Sequence, residues 1–238
     1  MLAACLLWAG LDKAVEHPIA QVSESFIDPM RWCDMLILPL NTKHCRASSG
    51  NNPSVIMVSI GRKSYEELDK AHPVDFSYGV KASSQDYFDI RLFSRKGPLG
   101  TSDYSIMLEA VEMPGGKTFL HLTYSYSYGF VARVAMQGYL ATLGRSKVGF
   151  TRIDRHISNP PEYIGGVRAA VERNTMRYYL AIDAYLDALS APAPERFDRR
   201  LQSWFSATEL YARQLHEVDR AAYLDMKRAE YQRMRSPP

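Results

Sequence analysis

No stretch of the chain approaches the roughly 18 apolar residues that a membrane-spanning helix needs, so a helical span is excluded. Cysteine is scarce: Cys5, Cys33 and Cys45 are all there is, and an odd count argues against a full disulfide framework. A dominant charge sign is missing too. The 29 lysines and arginines nearly balance 26 aspartates and glutamates, leaving a net charge of +3. The arginines are scattered among acids, which describes a mixed solvated surface and not a nucleic-acid-binding face.

Chemical motifs are equally sparse. The six histidines show no metal-ligand spacing such as HExxH, the segment GRSKVG at 144–149 lacks the glycine-lysine order of a phosphate loop, and no GxGxxG follows a strand. Cys33 stands beside Asp34 with no histidine close in sequence, so a nucleophilic triad has no support. These absences weigh against a nucleotide-dependent enzyme and imply neither cofactor nor metal site. What remains is 238 residues, 46% hydrophobic and 23% charged, an ordinary globular composition long enough for one large domain, or one domain with a helical extension.

Two features bear on compartment. The start, MLAACLLWAG, is apolar, and Leu2-Ala3-Ala4-Cys5 superficially matches a bacterial lipoprotein cleavage site, without the basic segment of a complete signal. It reads as the remnant of an export signal or as the first packed segment. Cys33 and Cys45 are close enough for one disulfide, which in the chain-entropy model stabilises by about 3 kcal/mol; the alternative is two buried thiols. The bridge is the preferred reading, and with it an exported, periplasmic or similar location over a cytoplasmic one.

Along the chain, residues 10–16 suit a short strand. A short helix follows from Pro18, and Asp28-Pro29 opens a second, the aspartate as cap and the proline at the first helical position. Then come six alternating segments, 41–47, 54–61, 73–83, 86–96, 102–113 and 117–128, separated by turn sequences such as Gly97-Pro98-Leu99-Gly100 and Pro114-Gly115-Gly116. This predicts an antiparallel meander. Residues 130–142 read as a helix and 145–153 as one more strand. After Gly165-Gly166 a long helix is predicted, with Val167, Ala170, Val171, Asn174, Tyr178, Ala181, Ile182, Tyr185 and Leu189 as one buried stripe. Past the linker Ser190-Ala191-Pro192-Ala193-Pro194, the spacing predicts a second amphipathic helix over 197–235.

The segment TFLHLTYSYSYG, residues 118–129, places Tyr124, Tyr126 and Tyr128 on one face of a strand, together with Leu120 and Leu122. Phe76, Tyr78, Phe88, Tyr104 and Ile106 share the corresponding faces of neighbouring strands. Such a face is the floor of a pocket or an ordinary sheet core. As a pocket, its hydroxyls suit a mostly apolar ligand carrying one polar group. Arg133 could meet a ligand carboxylate or phosphate, and Asn174, polar on an apolar stripe, needs a partner in a ligand or in the sheet. His121 and Glu109 form an acid/base pair on paper, on the wet face.

The short-helix pair around Trp32-Cys33-Asp34, the hairpin at Arg95–Thr101, the strand TFLHLTYSYSYG and the helix after Gly166 together resemble the α+β helix-grip fold of START-like domains, the broad Bet v 1-like (SRPBCC) superfamily. The resemblance covers roughly residues 10–189. It implies a curved antiparallel sheet wrapped around a long C-terminal helix, a ligand-binding domain over 1–190 and a helical extension over 191–238. It implies a hydrophobic, lipid-like small molecule held between sheet and helix by Phe76, Tyr78, Phe88, Tyr104, Ile106, Tyr124, Tyr126, Tyr128, Arg133, Asn174 and Tyr178, in a carrier or sensor. Two other readings stay open: a cyclase, dehydratase or hydrolase on the same fold, or an interaction module that uses residues 197–235 to meet a partner or a second copy.

Overall fold

Alternation of apolar and polar side chains dictates strands, and seven of them form one antiparallel sheet in the order β1-β7-β6-β5-β4-β3-β2. They are β1 (Cys5–Val15), β2 (Thr42–Ser48), β3 (Ser54–Ile60), β4 (His72–Ser83), β5 (Tyr87–Lys96), β6 (Thr101–Met113) and β7 (Lys117–Tyr128). The computed structural model describes residues 5–48, 54–130, 133, 134, 137, 138, 142, 144–153 and 161–235. Helices α1 (Ile19–Ile27) and α2 (Pro29–Leu36) join β1 to β2, and a long helix, α3 (Gly166–Asp187), follows the meander. Three more, α4 (Arg196–Glu209), α5 (Ala212–Leu215) and α6 (Arg220–Arg235), complete the described chain. First strand paired with last, two short helices, and one long helix packed on β1, β7 and α2 make this the helix-grip arrangement.

Local chemistry explains the elements. Asp28 caps α2, its carboxylate accepting from the Met30 amide at 2.9 Å, with proline at the first turn. The disulfide between Cys33 and Cys45, with Cα atoms 5.3 Å apart, ties α2 to β2. In the meander Val74, Phe76, Tyr78, Phe88, Ile90, Leu92, Ile106, Leu108, Ala110, Leu120 and Leu122 are all buried on one face, as period-two alternation requires. The end of the grip near α1 and α2 is filled by aromatic rings. Phe26 lies 5.7 Å from both Trp32 and Tyr185, and the Trp32 indole donates to the Phe26 carbonyl at 2.8 Å.

The structure departs from the sequence expectations in four places. First, β1 begins at Cys5, and its early residues pair with the tyrosine strand: Leu7 with Tyr126, Ala9 with Tyr124. Second, residues 145–153 form no strand. Glu172 on α3 accepts the Phe150 and Thr151 amides at 2.8 and 3.0 Å and so pins this segment to the helix. A single bridge, Arg152 with Tyr163, remains. The approach is close at Gly149, where a Cβ would lie 2.5 Å from the Glu172 carboxylate and 3.0 Å from the Ala169 backbone. Third, the C-terminal helix is three helices. Fourth, α3 has no single buried stripe: Ala169, Arg173, Arg177, Tyr179, Leu180, Ala184 and Leu186 are buried as well, because α4 packs on the side that the sheet leaves uncovered. The expected helix over 130–142 falls largely outside the described residues; Phe130, Arg133, Val134, Gln137 and Gly138 are helical.

The last three helices are fastened by specific bonds. The Trp204 indole donates to the Arg177 carbonyl at 3.1 Å, and the Tyr223 hydroxyl to the Leu38 carbonyl at 3.0 Å. Arg200 pairs with Asp34 at 2.9 Å while stacking 4.3 Å over the Tyr185 ring. Beneath α6 two fully buried lysines share one carboxylate: Lys43 reaches Glu230 at 3.1 Å and Lys227 reaches it at 2.7 Å. Their remaining protons go to the carbonyls of Leu40, Ser64 and Thr42. Taking Glu230 away strands two buried ammonium groups. Glu230→Ala is therefore expected to cost about 3–5 kcal/mol in urea unfolding, and a loss below about 1 kcal/mol would show that the clasp does not hold α6.

Candidate functional site

In an antiparallel sheet the connections β3–β4 and β5–β6, the start of β1 and the end of β7 all lie at one end. That end is opposite the one closed by α1 and α2, and the features with chemical character gather there.

The sequence-predicted aromatics divide into groups. Phe76, Tyr104, Tyr124, Tyr126 and Tyr178 come together. Tyr104 stacks on Tyr126 with ring centroids 5.2 Å apart, Tyr124 lies 5.4 Å from Tyr178, and Phe76 meets Tyr104 edge-on at 6.5 Å. Tyr104 reaches this position through a bulge in β6 between Ser102 and Ser105, with Asp103 at φ 51°. It also needs Gly97, where any Cβ would run into the Tyr104 ring. The Tyr104 hydroxyl is used internally, donating to Thr101 at 2.9 Å, and the Asn174 amide acts electrostatically on the Tyr124 phenol. Tyr78 stands apart, its hydroxyl given to the Phe26 and Ile27 carbonyls. Phe88 and Ile106 lie in the sheet core. Tyr128 and Arg133 meet at the strand end, the guanidinium 5.8 Å from the ring centroid. His121 sits opposite Glu109 in register, yet its contacts are Asp12 at 2.5 Å and Thr123 at 3.0 Å, while Glu109 accepts from Tyr87 at 2.8 Å.

Beside the aromatic cluster a half-open cavity of about 550 Å³ runs between β1 and α3. Leu7, Ala9 and Leu11 line it from the strand, Val171, Thr175 and Met176 from the helix, and Phe150 from the pinned segment. Leu7, Ala9 and Leu11 pair with Tyr126, Tyr124 and Leu122 and so share the face of the tyrosine row, while Leu6, Trp8 and Gly10, which also line the cavity, belong to the other face of this edge strand. Arg168 and Glu172, 3.2 Å apart, sit at its rim, and Trp8, 66% exposed, stands at its lip. A second concavity of about 900 Å³ lies between residues 60–72 and Pro98-Leu99. Neither takes its lining from the tyrosines. The β1 residues escaped notice because the segment read either as an export-signal remnant or as a first packed segment, with no strand assigned before residue 10; the signal was the alternation of Leu7, Ala9 and Leu11.

A polar chain crosses α3 from the aromatic cluster. Asn174, an electrostatic neighbour of Tyr124, accepts from Arg177 at 3.4 Å, and Arg177 donates to Glu217 at 2.7 Å. Glu217, after α5, also takes Lys63 at 2.6 Å, with Lys147 at 3.9 Å. The three cations, Lys63 foremost, outweigh the effect of burial and hold the Glu217 carboxyl below its ordinary range. None of these charged residues was singled out from sequence. Arg173 and Arg177, one turn apart in the helix among buried residues, carried the signal.

No protein-family model and no curated protein matches the sequence. Solved structures do resemble it. A protein from Thermus thermophilus is 11% identical, with a TM-score of 0.47 over 79% of this chain and 100% of its own. A START superfamily protein from Mycobacterium smegmatis is 11% identical, with a TM-score of 0.39 over 57% and 93%. Norcoclaurine synthase from Thalictrum flavum, in complex with dopamine and hydroxybenzaldehyde, is 11% identical, with a TM-score of 0.40 over 60% and 84%. The likeness is one of fold alone. The START-like, Bet v 1-like helix-grip architecture rests on the strand order and helix placement described above.

The tyrosine cluster has a titration signature. Burial first, then neighbouring tyrosines, raises Tyr124, Tyr126 and Tyr178 well above the ordinary phenol value of 10.0. A raised folded pKa contributes stability that is complete below the unfolded value and is lost as pH climbs through the folded one. Absorbance at 295 nm should therefore rise in two phases. Exposed tyrosines ionise near pH 10; the cluster ionises only at higher pH, in a cooperative step that coincides with loss of near-ultraviolet circular dichroism. One smooth phase with the dichroism retained would mean that the cluster is open to water.

Proposed function

We propose that the protein holds an apolar, lipid-like small molecule in the cavity between β1 and α3, beside the ring cluster of Phe76, Tyr104, Tyr124, Tyr126 and Tyr178, and acts as a carrier or sensor. The observation that supports this is the cavity of about 550 Å³ at the sheet–helix junction. Its size falls in the range of small-molecule sites, roughly 300–1,000 Å³, and its lining is mostly apolar, with Thr151, Arg168, Glu172 and Thr175 as the polar members. Binding would draw on burial of ligand surface, about 25 cal/mol per Å² before the costs of association. The Tyr104 hydroxyl is taken up by Thr101, so this ring contributes apolar surface first.

The compartment in this reading is an oxidising one, outside the cytoplasm, where a disulfide such as Cys33–Cys45 persists. Denatured without reductant, protein from its native source should then show one titratable thiol among its three cysteines. Three thiols would place it in a reducing compartment.

Trp8 provides an internal reporter, because Trp32 and Trp204 are buried while Trp8 stands at the lip of the cavity. Titration with dodecanol should shift Trp8 emission to the blue, saturably, and reduce its quenching by acrylamide. Leu7→Asp, which puts a charge in the apolar wall, should weaken the effect at least tenfold. Absence of any saturable change, together with no lipid in organic extracts of the purified protein by mass spectrometry, would refute the proposal.

A further inference from the structure

Four side chains with a charge or a hydroxyl line the cavity between β1 and α3: Thr151, Arg168, Glu172 and Thr175. Three of them are spent on the protein. Glu172 accepts the amides of Phe150 and Thr151 at 2.8 and 3.0 Å on one oxygen. On the other it accepts the Thr151 hydroxyl at 2.7 Å and Arg168 Nε at 3.2 Å. The Thr175 hydroxyl donates to the Val171 carbonyl at 3.1 Å. Arg168 is the exception. Its Nε is given to Glu172, and its two Nη groups have no partner among the described residues.

The two charged residues therefore differ in what they offer a ligand. A carboxylate has about four acceptor sites, and those of Glu172 are taken. Burial pushes its carboxyl up, but the bonds from Thr151, Phe150 and Arg168 outweigh burial and hold it below its ordinary range. Glu172 is thus ionised, solvated largely by uncharged groups of the pinned segment, and closed to a further donor. Arg168 keeps donors to spare, and its side chain is 64% exposed, at the cavity mouth. The two Nη groups form one edge of the guanidinium fork, whose spacing matches the two oxygens of a carboxylate. Arg168 is also the one lysine or arginine in the described lining. Arg133, the arginine that the sequence offered for this role, lies against Tyr128 and does not line the cavity.

We propose that the ligand of this cavity is a carboxylate-headed amphiphile, a fatty-acid-like molecule whose tail lies along Leu7, Ala9, Val171 and Met176 and whose carboxylate takes the Nη edge of Arg168. This names the head group of the ligand proposed above and rests on that reading of the cavity. One guanidinium edge satisfies a carboxylate. A phosphate monoester brings a further oxygen and up to about one more charge, which calls for a second cation that the described lining lacks. An ammonium head meets a saturated Glu172 and the like charge of Arg168. At the rim the carboxylate keeps part of its hydration, so the tail supplies most of the affinity and the head supplies the choice among tails.

Trp8 emission of the full chain, titrated at pH 7 with dodecanoate, dodecanol and dodecylammonium below their micelle-forming concentrations, tests it. Dodecanoate should bind about fivefold more tightly than dodecanol, and dodecylammonium most weakly. Arg168→Gln, at an exposed position, should weaken dodecanoate about fivefold and dodecanol at most about twofold, so that the preference disappears. Arg168→Lys, which keeps the charge without the fork, should keep only part of the preference. Lys70→Gln, in the second concavity, should leave the order of the three ligands as it is. Equal affinities for dodecanoate and dodecanol, or a dodecanoate affinity that survives Arg168→Gln, would overturn the carboxylate assignment and leave the apolar cavity standing. No saturable response to any of the three would remove the cavity reading and the head group with it.

Discussion

The constraint on which the rest of the structure depends is that α3 is covered on two opposite sides. In front it packs on β1 and β7; behind, α4 covers it. A helix enclosed in this way must satisfy every polar group it carries from within the protein, and α3 carries several: Arg173, Asn174, Thr175 and Arg177 within five consecutive positions. Their partners are spread over several elements. Arg173 uses the Val148 carbonyl, Thr175 the Val171 carbonyl one turn back in α3 itself, Asn174 accepts from Arg177, and Arg177 also reaches the loop after α5. Burial on two sides is therefore what recruits the polar network, and the network in turn fixes the positions of loops that would otherwise be set only by their own turn chemistry.

The same enclosure explains why residues beyond Ser190 matter to the sheet. Leu201, Trp204, Phe205 and Tyr223 belong to one apolar core with Trp32, Leu36 and Leu38, and Tyr223 is bonded to the Leu38 carbonyl. The buried lysines under α6 add a polar restraint of a different kind. Apolar packing tolerates sliding, whereas two ammonium groups sharing one carboxylate and three named carbonyls are satisfied in a single register. Such groups cost desolvation energy that a hydrophobic pair would not; what they contribute is uniqueness of docking.

Much of this was legible in the sequence, for identifiable reasons. Period-two alternation is a property of each strand alone, so the six segments from 41 to 128 read correctly. Asp28-Pro29 was legible because capping is local. The failures share one cause. Residues 5–9, the segment 145–153 and the back of α3 take their conformation from something distant in sequence: β7, Glu172 and α4. A strand that completes a sheet by pairing with the last strand looks, on its own, like any short apolar run. A helix stripe counted at three-four spacing assumes solvent on the other side, where here α4 packs. The tyrosine row was found because alternation exposes it, but the cavity beside it depends on where β1 and α3 come to lie, and no local pattern encodes that.

The open end of the grip brings two incompatible kinds of surface within one helix diameter. Apolar walls from Leu7, Ala9, Leu11, Val171 and Met176 face one flank of α3; the cations around Glu217 occupy the other. The helix separates them, and Asn174 lies between: it accepts from Arg177 on one flank and acts electrostatically on the Tyr124 phenol on the other. A polar side chain in that position serves the charged flank by its bond and the aromatic flank by its dipole, whereas Arg173 and Thr175 beside it are spent on backbone carbonyls.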